Sequence, residues 1–413
     1  MSNSKKIDTT VIDISFIKEY LEPEKLNTKT LNDTFHLEPK ISDKGTILKY
    51  NKIFVNSDNV TKLGLFRSVV IINNNIVCMS PTKSLTQEKF FETTDIHNCN
   101  IEEFVEGTMI NCFYNKEARS WDITTRSILG ADTSSPIKNK PFNKMFEDVF
   151  SHLQLNWDMF NREYCYSFVL QHTDNKIVSL IKKSTLYLTD VFKIEDYKIY
   201  SVDFRTQECF GELLKRVNIP KRYDDNECSL ESIKLKYCSM NTSFDVLGIM
   251  FKNGFYRCKI RNPVYEYLHN LKGNQPKLQY QYYSLRRNNQ VFEFLKHYPE
   301  YKQYFNTLRK NLHNITVQLW NNYMSCFVEK GMKLKEFGPQ FKQHMLALHN
   351  KYINELRLEN KCVNRKEVIN YINELDLPRL MYLVNYPIKQ KNLKGLENKF
   401  NIYINTNKSS DTK

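Results

Sequence analysis

Three cations, Arg257, Lys259 and Arg261, alternate with Cys258 and Ile260. On a β-strand that period of two puts the cations on one face and the apolar pair on the other. Like charges in a row repel unless an anion or acidic groups lie opposite, so the run reads as a phosphate-holding face or as a solvated edge strand. Other cations stand beside turns and strand ends: Arg67 before Val69-Val70-Ile71-Ile72, Lys83 in Ser80-Pro81-Thr82-Lys83-Ser84, Lys89 before Phe90-Phe91, and Arg126 after Thr124-Thr125. In residues 277–287 tyrosines mix with Lys277, Arg286 and Arg287. That stretch offers rings for stacking on unpaired bases, or else a tyrosine-rich interdomain strand or linker. Zinc and thioredoxin chemistry find no support, because the ten cysteines form no CxxC pair. The thiols are expected to pack as small hydrophobes in a reducing interior. His344 and His349 are five residues apart, a spacing that does not put two ligands on one helix face.

The whole chain favours anions too: 60 Lys+Arg against 46 Asp+Glu give a formal charge of +14 over 413 residues. Such a charge attracts polyanions, with nucleic acid the default partner, unless it is only the bias of a Lys- and Asn-rich composition. At 41% hydrophobic and 13% aromatic residues the chain is too apolar to be disordered, and it is long enough for two or three domains. The start, MSNSKKIDTT, has no apolar signal segment, and no apolar run is long enough to cross a bilayer, so we expect no membrane association and a cytoplasmic location.

The elements that must position these residues follow from periodicity. From about residue 50 to 285, short β-branched runs separated by turn residues predict an antiparallel sheet domain with some helix. Val69–Ile72 and Ile76–Met79 make a hairpin around Asn73-Asn74-Asn75, and Asn253-Gly254 turns between Val246–Phe251 and Phe255–Arg261. Further strands are expected at Phe104–Tyr114, Trp121–Arg126, Tyr164–Gln171, Ile177–Ile181 and Ile199–Asp203. Between Phe142 and Phe160 helical spacing breaks in, with Phe142, Met145, Phe146, Val149, Phe150 and Leu153 recurring every three or four residues. From Val291 the period is helical for good: one long helix or two broken near Pro299, another over Phe341–Leu356, and a third opened by Asn364 with Glu367. The expected organisation is an N-terminal extension (1–45), a sheet domain (46–288), an all-α domain (289–392) and a loose tail (393–413).

In sequence order these features resemble the phage tRNA-repair type of RNA ligase. Arg67 before a β run, Lys89-Phe90-Phe91, and Phe104-Val105-Glu106-Gly107-Thr108 are similar to that family's arginine, its lysine before two phenylalanines, and its Lys-x-Asp-Gly-Ser/Thr motif. Phe168-Val169 with Asn175–Val178 stands for the third motif, Leu247-Gly248-Ile249-Met250 for the Glu-Gly strand, and Cys258-Lys259-Ile260-Arg261 for the last Lys-x-Lys motif. The likeness runs over about residues 50–390. Several strings also look like those of uncharacterised proteins of large DNA viruses. It implies an α+β nucleotidyltransferase domain, an ATP-grasp-like antiparallel sheet, followed by an all-α C-terminal domain.

The resemblance also implies a loss. Such ligases use the motif lysine to attack the α-phosphate of ATP beside a metal ion, and Phe104 stands at the lysine position. The acid and turn of the motif survive in Glu106, Gly107 and Thr108, but Phe168 or Val169 and Leu247 replace the carboxylates of the later motifs. Asp245, two residues from Leu247, would share its strand face but be displaced along it. No metal ligand is therefore identified, and no catalytic residue. Arg67, Lys89, Glu106, Arg126, Arg257, Lys259 and Arg261 remain as the expected nucleotide- or phosphate-binding set. Three readings stay open. One is a degenerate ligase that binds RNA or a nucleotide in viral RNA metabolism, with protein partners in a viral complex. The second is an active transferase using Lys83 or Lys89 as nucleophile, with ATP and Mg²⁺. The third is a structural or virion protein.

Overall fold

The computed structural model describes residues 9–21, 28–133, 140–179, 181–224, 229–273, 277–387 and 389–390. The chain forms two compact units, Met1–Asn270 and Leu271–Lys413. The change of unit therefore comes before the expected boundary at 288, because residues 277–287 are helical and belong to the second unit.

The first unit carries fourteen strands among its described residues: β1 (Val11–Asp13), β2 (Leu37–Ser42), β3 (Gly45–Tyr50), β4 (Val69–Ile72), β5 (Asn75–Met79), β6 (Asn100–Glu103), β7 (Thr108–Asn115), β8 (Ser120–Thr125), β9 (Tyr164–Gln171), β10 (Thr185–Glu195), β11 (Lys198–Val202), β12 (Arg222–Tyr223), β13 (Gly248–Asn253) and β14 (Tyr256–Arg261). They make three antiparallel sheets, in the orders β1-β11-β10-β9-β7-β8, β12-β6-β13-β14 and β2-β3-β4-β5. The segment expected as an N-terminal extension is instead part of this architecture, since β1 pairs with β11 and β2 with β3. The β4–β5 hairpin turns through Asn73 and Asn74 at φ 44° and 64°, left-handed values that asparagine tolerates.

Two expected strands are corrected. Phe104–Tyr114 is divided: β6 ends at Glu103, β7 starts at Thr108, and the residues between are loop. Gly107 is the reason, with φ +155° and no room for a Cβ, which would sit 2.5 Å from Val169 Cγ1. Ile177–Ile181 is not a strand over its described residues 177–179 and 181. The backbone amides of Val178 and Ser179 donate to the Glu106 carboxylate instead of to a neighbouring strand. The expected helix near Phe142 spans Phe142–His152.

Buried apolar residues of the six-stranded sheet and of the β2-β3-β4-β5 sheet form one core around Ile47, Val69, Phe192 and Ile199, and the six-stranded sheet with the helix Phe142–His152 forms another around Phe146, Tyr166, Phe168 and Leu188. A polar line crosses the buried ground between strands. Asn111 of β7 donates to Ser80 Oγ at 2.8 Å and accepts from Ser167 Oγ of β9 at 2.8 Å. This fixes the start of loop 80–86, which runs beside β14: Leu85 N–H donates to the Arg257 carbonyl at 2.8 Å.

The second unit is helical: Leu278–Arg287, Val291–His297, Lys302–Tyr323, Pro339–Lys351 and Arg365–Glu374. The break near Pro299 is a single turn of 3-10 helix, Pro299–Tyr301. Asn364 caps the last helix as expected, accepting from Glu367 N–H at 3.0 Å. The tyrosine-rich stretch is a helix, and Tyr282 and Tyr283 are buried in it at 3% and 2% exposure, so those two rings pack inside. The expected tail beyond 393 lies outside the described residues. Among the described residues no helix is long and apolar enough to cross a membrane.

Candidate anion site

β14 delivers Arg257 and Lys259 to one side of the site, and loop 80–86 holds Arg257 in place. Its Nε donates to the Thr82 carbonyl at 2.6 Å and Nη2 to the Pro81 carbonyl at 3.4 Å. The same loop takes a second arginine, because Arg67 Nη1 donates to the Pro81 carbonyl at 3.3 Å. A guanidinium presents five N–H donors, so backbone carbonyls anchor each group while leaving donors for a ligand.

The electrostatics bring further cations into the set. Lys259 reaches solvent, yet it is lowered to about 8, first by the partial desolvation of its amine and then by Arg261, Arg257, Arg67 and Lys83. Arg67 is pushed well below its ordinary range by burial, then by Arg257 and Arg126. It keeps its charge, since arginine is not deprotonated in proteins, so the push measures burial first and crowding second. Lys49 of β3 is lowered as well, by burial and by Arg126. A cavity of about 170 Å³ opens beside this group, lined by Lys49, Tyr50, Lys52, Arg67 and Arg126 with one carboxylate, Glu38. Among the described residues none of Lys49, Arg67, Lys83, Arg126, Arg257 and Lys259 forms a salt bridge. Asp190 is the carboxylate that acts on Arg67 and Arg257, but it is bound to Lys252 at 3.2 Å. It stands at a register shift of the β9–β10 pairing, the kind of bulge that re-aims a side chain.

Phe104 belongs to the site. Its N–H donates to the Gly248 carbonyl at 3.1 Å, and the Lys259 ammonium lies 6.0 Å from its ring centroid. That is the outer reach of a cation–π contact. An aromatic ring thus stands next to an amine that forms no salt bridge.

The remaining expected residues divide. Arg261 lies beside Lys259 but is paired with Glu266 at 2.9 Å. Lys89 is tied to Glu92 at 2.8 Å, and that bond raises its pKa, the opposite of what activates an amine. Glu106 is buried, with its carboxylate turned to the amides of Val178 and Ser179 at 2.6 and 3.2 Å. A carboxylate so engaged holds the loop, and it is not presented to a phosphate. Lys49, Tyr50 and Asp190 were not marked by the sequence. Lys49 sits in an alternating strand and Asp190 at the irregularity of β10, and only the sheet order brings them here.

A divalent cation held by carboxylates does not fit residues 168, 169 and 247. Phe168, Val169 and Leu247 are buried and apolar. Asp245 is exposed in the loop before β13, so it does not share a strand face with Leu247 as expected. Among the described residues no three His, Cys, Asp or Glu gather where they could hold a metal ion. His344 is buried against the Tyr371 hydroxyl at 2.8 Å.

No family model and no curated protein matches the chain. Solved structures similar to it include a protein assigned as an ATP-dependent DNA ligase in Aquifex aeolicus (13% identity, 81% of this chain and 80% of that one, TM-score 0.37). They also include an archaeal ATP-dependent RNA ligase (9% identity, 88% and 76%, TM-score 0.36). A third is the Naegleria gruberi RNA ligase with pyrophosphate (12% identity, 46% and 58%, TM-score 0.35). TM-scores this low carry neither a residue role nor an activity across to this chain.

Proposed function

We propose that the first unit binds a nucleotide or the phosphates of an RNA without forming a covalent adduct, and that the protein serves RNA metabolism as a ligase-like binding module. One observation carries this reading: Arg67, Arg257 and Lys259 crowd together unpaired, with Lys83 and Arg126 adding to their field, beside the Phe104 ring. Crowded cations without partners destabilise one another, and a polyphosphate or nucleic-acid backbone relieves that repulsion by supplying the missing charge. Phe104 adds a flat face for a base. The positions expected to supply a nucleophile and carboxylates for covalent nucleotidyl transfer, 104 and 168, 169 or 247, have only apolar side chains, and Lys89, one of the two alternative nucleophiles, is tied to Glu92.

Incubation with α-labelled ATP or GTP and Mg²⁺ should leave no label on the protein after denaturation. The Phe104→Lys variant should stay unlabelled too, since the carboxylates are missing as well. A labelled adduct on the wild-type protein would overturn the reading. RNA binding should weaken steeply with salt, and a salt-indifferent affinity would favour a purely structural role.

A further inference from the structure

The helical unit has a groove of its own. It holds about 480 Å³, within the ~300–1,000 Å³ typical of ligand sites. Its floor is apolar and firm: Tyr282, Leu312 and Ile372 are 3%, 4% and 1% exposed. The long helix Lys302–Tyr323 supplies Arg309, Leu312, His313 and Thr316, a spacing of three, one and three that puts them on one face. Arg286 enters from the helix Leu278–Arg287, and Phe292 from the start of the next. Phe292 is 83% exposed, a ring placed at the rim of a groove with almost nothing covering it.

The charge around the groove has one sign. Its lining includes Arg286, Arg309 and His313 and no Asp or Glu. Glu293, next to Phe292 in sequence, is turned to His297 at 3.2 Å. Neither arginine forms a salt bridge among the described residues. Asn289 and Asn373 add side-chain amides to the lining, which match the mixed donor and acceptor edges of a base.

We infer that this groove binds a single-stranded segment of RNA, with one unstacked base against Phe292 and its flanking phosphates on Arg286 and Arg309. A duplex does not fit this arrangement, because its bases are stacked inside and cannot reach a single ring. An acidic peptide would meet the arginines but leave the Phe292 face and the two asparagine amides without a planar partner.

The test uses the full chain and a fluorescent poly-uridine oligonucleotide, with affinity read by anisotropy over a range of salt. Phe292→Ala should weaken binding by about 5- to 150-fold, and Phe292→Trp should restore it. Arg286→Ala with Arg309→Ala should lower the slope of log affinity against log salt by about 1.4, two phosphates at roughly 0.7 each. The Phe292 effect should persist in a Lys259→Met background, which separates this groove from the anion site of the first unit. The inference is overturned if Phe292→Ala leaves affinity unchanged while circular dichroism shows the helices intact. It is equally overturned if a duplex of the same length or an acidic peptide binds with the same dependence on Phe292.

Discussion

Anion binding at the first site should be coupled to proton uptake by Lys259. In the free protein this amine is lowered to about 8, because partial desolvation and the cations around it disfavour the charged form. A bound phosphate supplies the opposite charge and returns the lysine toward its ordinary 10.5. Affinity is then full below 8 and falls about tenfold for each pH unit above it. Between pH 7 and pH 9 the loss should be about tenfold, or about 1.4 kcal/mol. At pH 8 the complex should take up about half a proton. Stability of the free protein runs the other way. The unfolded chain holds the proton up to 10.5, so stability rises with pH between about 8 and 10.5. Titration calorimetry with a 5′-triphosphorylated oligoribonucleotide, in two buffers of different ionisation enthalpy, measures affinity and proton uptake together. Lys259→Arg should flatten both profiles, since a guanidinium stays charged throughout. An affinity that is level from pH 7 to 9 in the wild type, or a decline that survives in Lys259→Arg, would refute the argument.

Three further outcomes concern what holds the site. Glu102 is 5% exposed and takes Lys252 at 3.1 Å and Arg205 at 3.3 Å, so Glu102→Gln should cost about 3–5 kcal/mol in urea unfolding by stranding buried cations. Burial alone would raise the Glu102 carboxyl, but Lys252 and Arg205 outweigh it and hold the group below its ordinary 4.5. Its contribution is therefore complete above 4.5 and lost as pH falls through the lowered value, and the gap in Tm between wild type and Glu102→Gln should narrow below pH 4.5. Asn111→Ala should cost on the order of 2–4 kcal/mol in the same assay, because it leaves the hydroxyls of Ser80 and Ser167 buried without their partner. Gly107→Ala should lower Tm by several degrees, as a Cβ there would meet the Leu170 carbonyl at 2.6 Å; an unchanged Tm would mean the 104–107 loop is not held as described.

What the sequence made legible were features decided within a few residues. The Asn73-Asn74 hairpin, the Asn364 cap, the break at Pro299 and the helix after Phe142 each depend on local geometry, and each lies where spacing puts it. The strand pattern of Arg257, Lys259 and Arg261 was legible too, but not their difference in burial. Arg257 is drawn inside by the carbonyls of Thr82 and Pro81, and Arg261 is turned to Glu266. Those partners lie far away along the chain in the first case and in the helix Pro263–Lys272 in the second, so alternation alone could not assign them. Glu106 shows the same limit from the opposite side. As part of a motif it belongs beside phosphate, yet the loop ending in Gly107 turns its carboxylate toward the amides of Val178 and Ser179, where a buried acceptor is needed. Lys49 and Asp190 went unmarked because each acquires its role from strands that are neighbours only in the folded sheets. Composition suggested an anion partner through the net charge, but the physical argument for a site is narrower. Most surface cations of this chain can shed their repulsion into solvent or onto an acid, as Lys89 does on Glu92. Arg67 and Arg257 are held by the carbonyls of loop 80–86 and by burial where neither escape is open, with Lys259 at the solvent edge of the same field, and that confinement is what makes an anionic ligand their remaining partner.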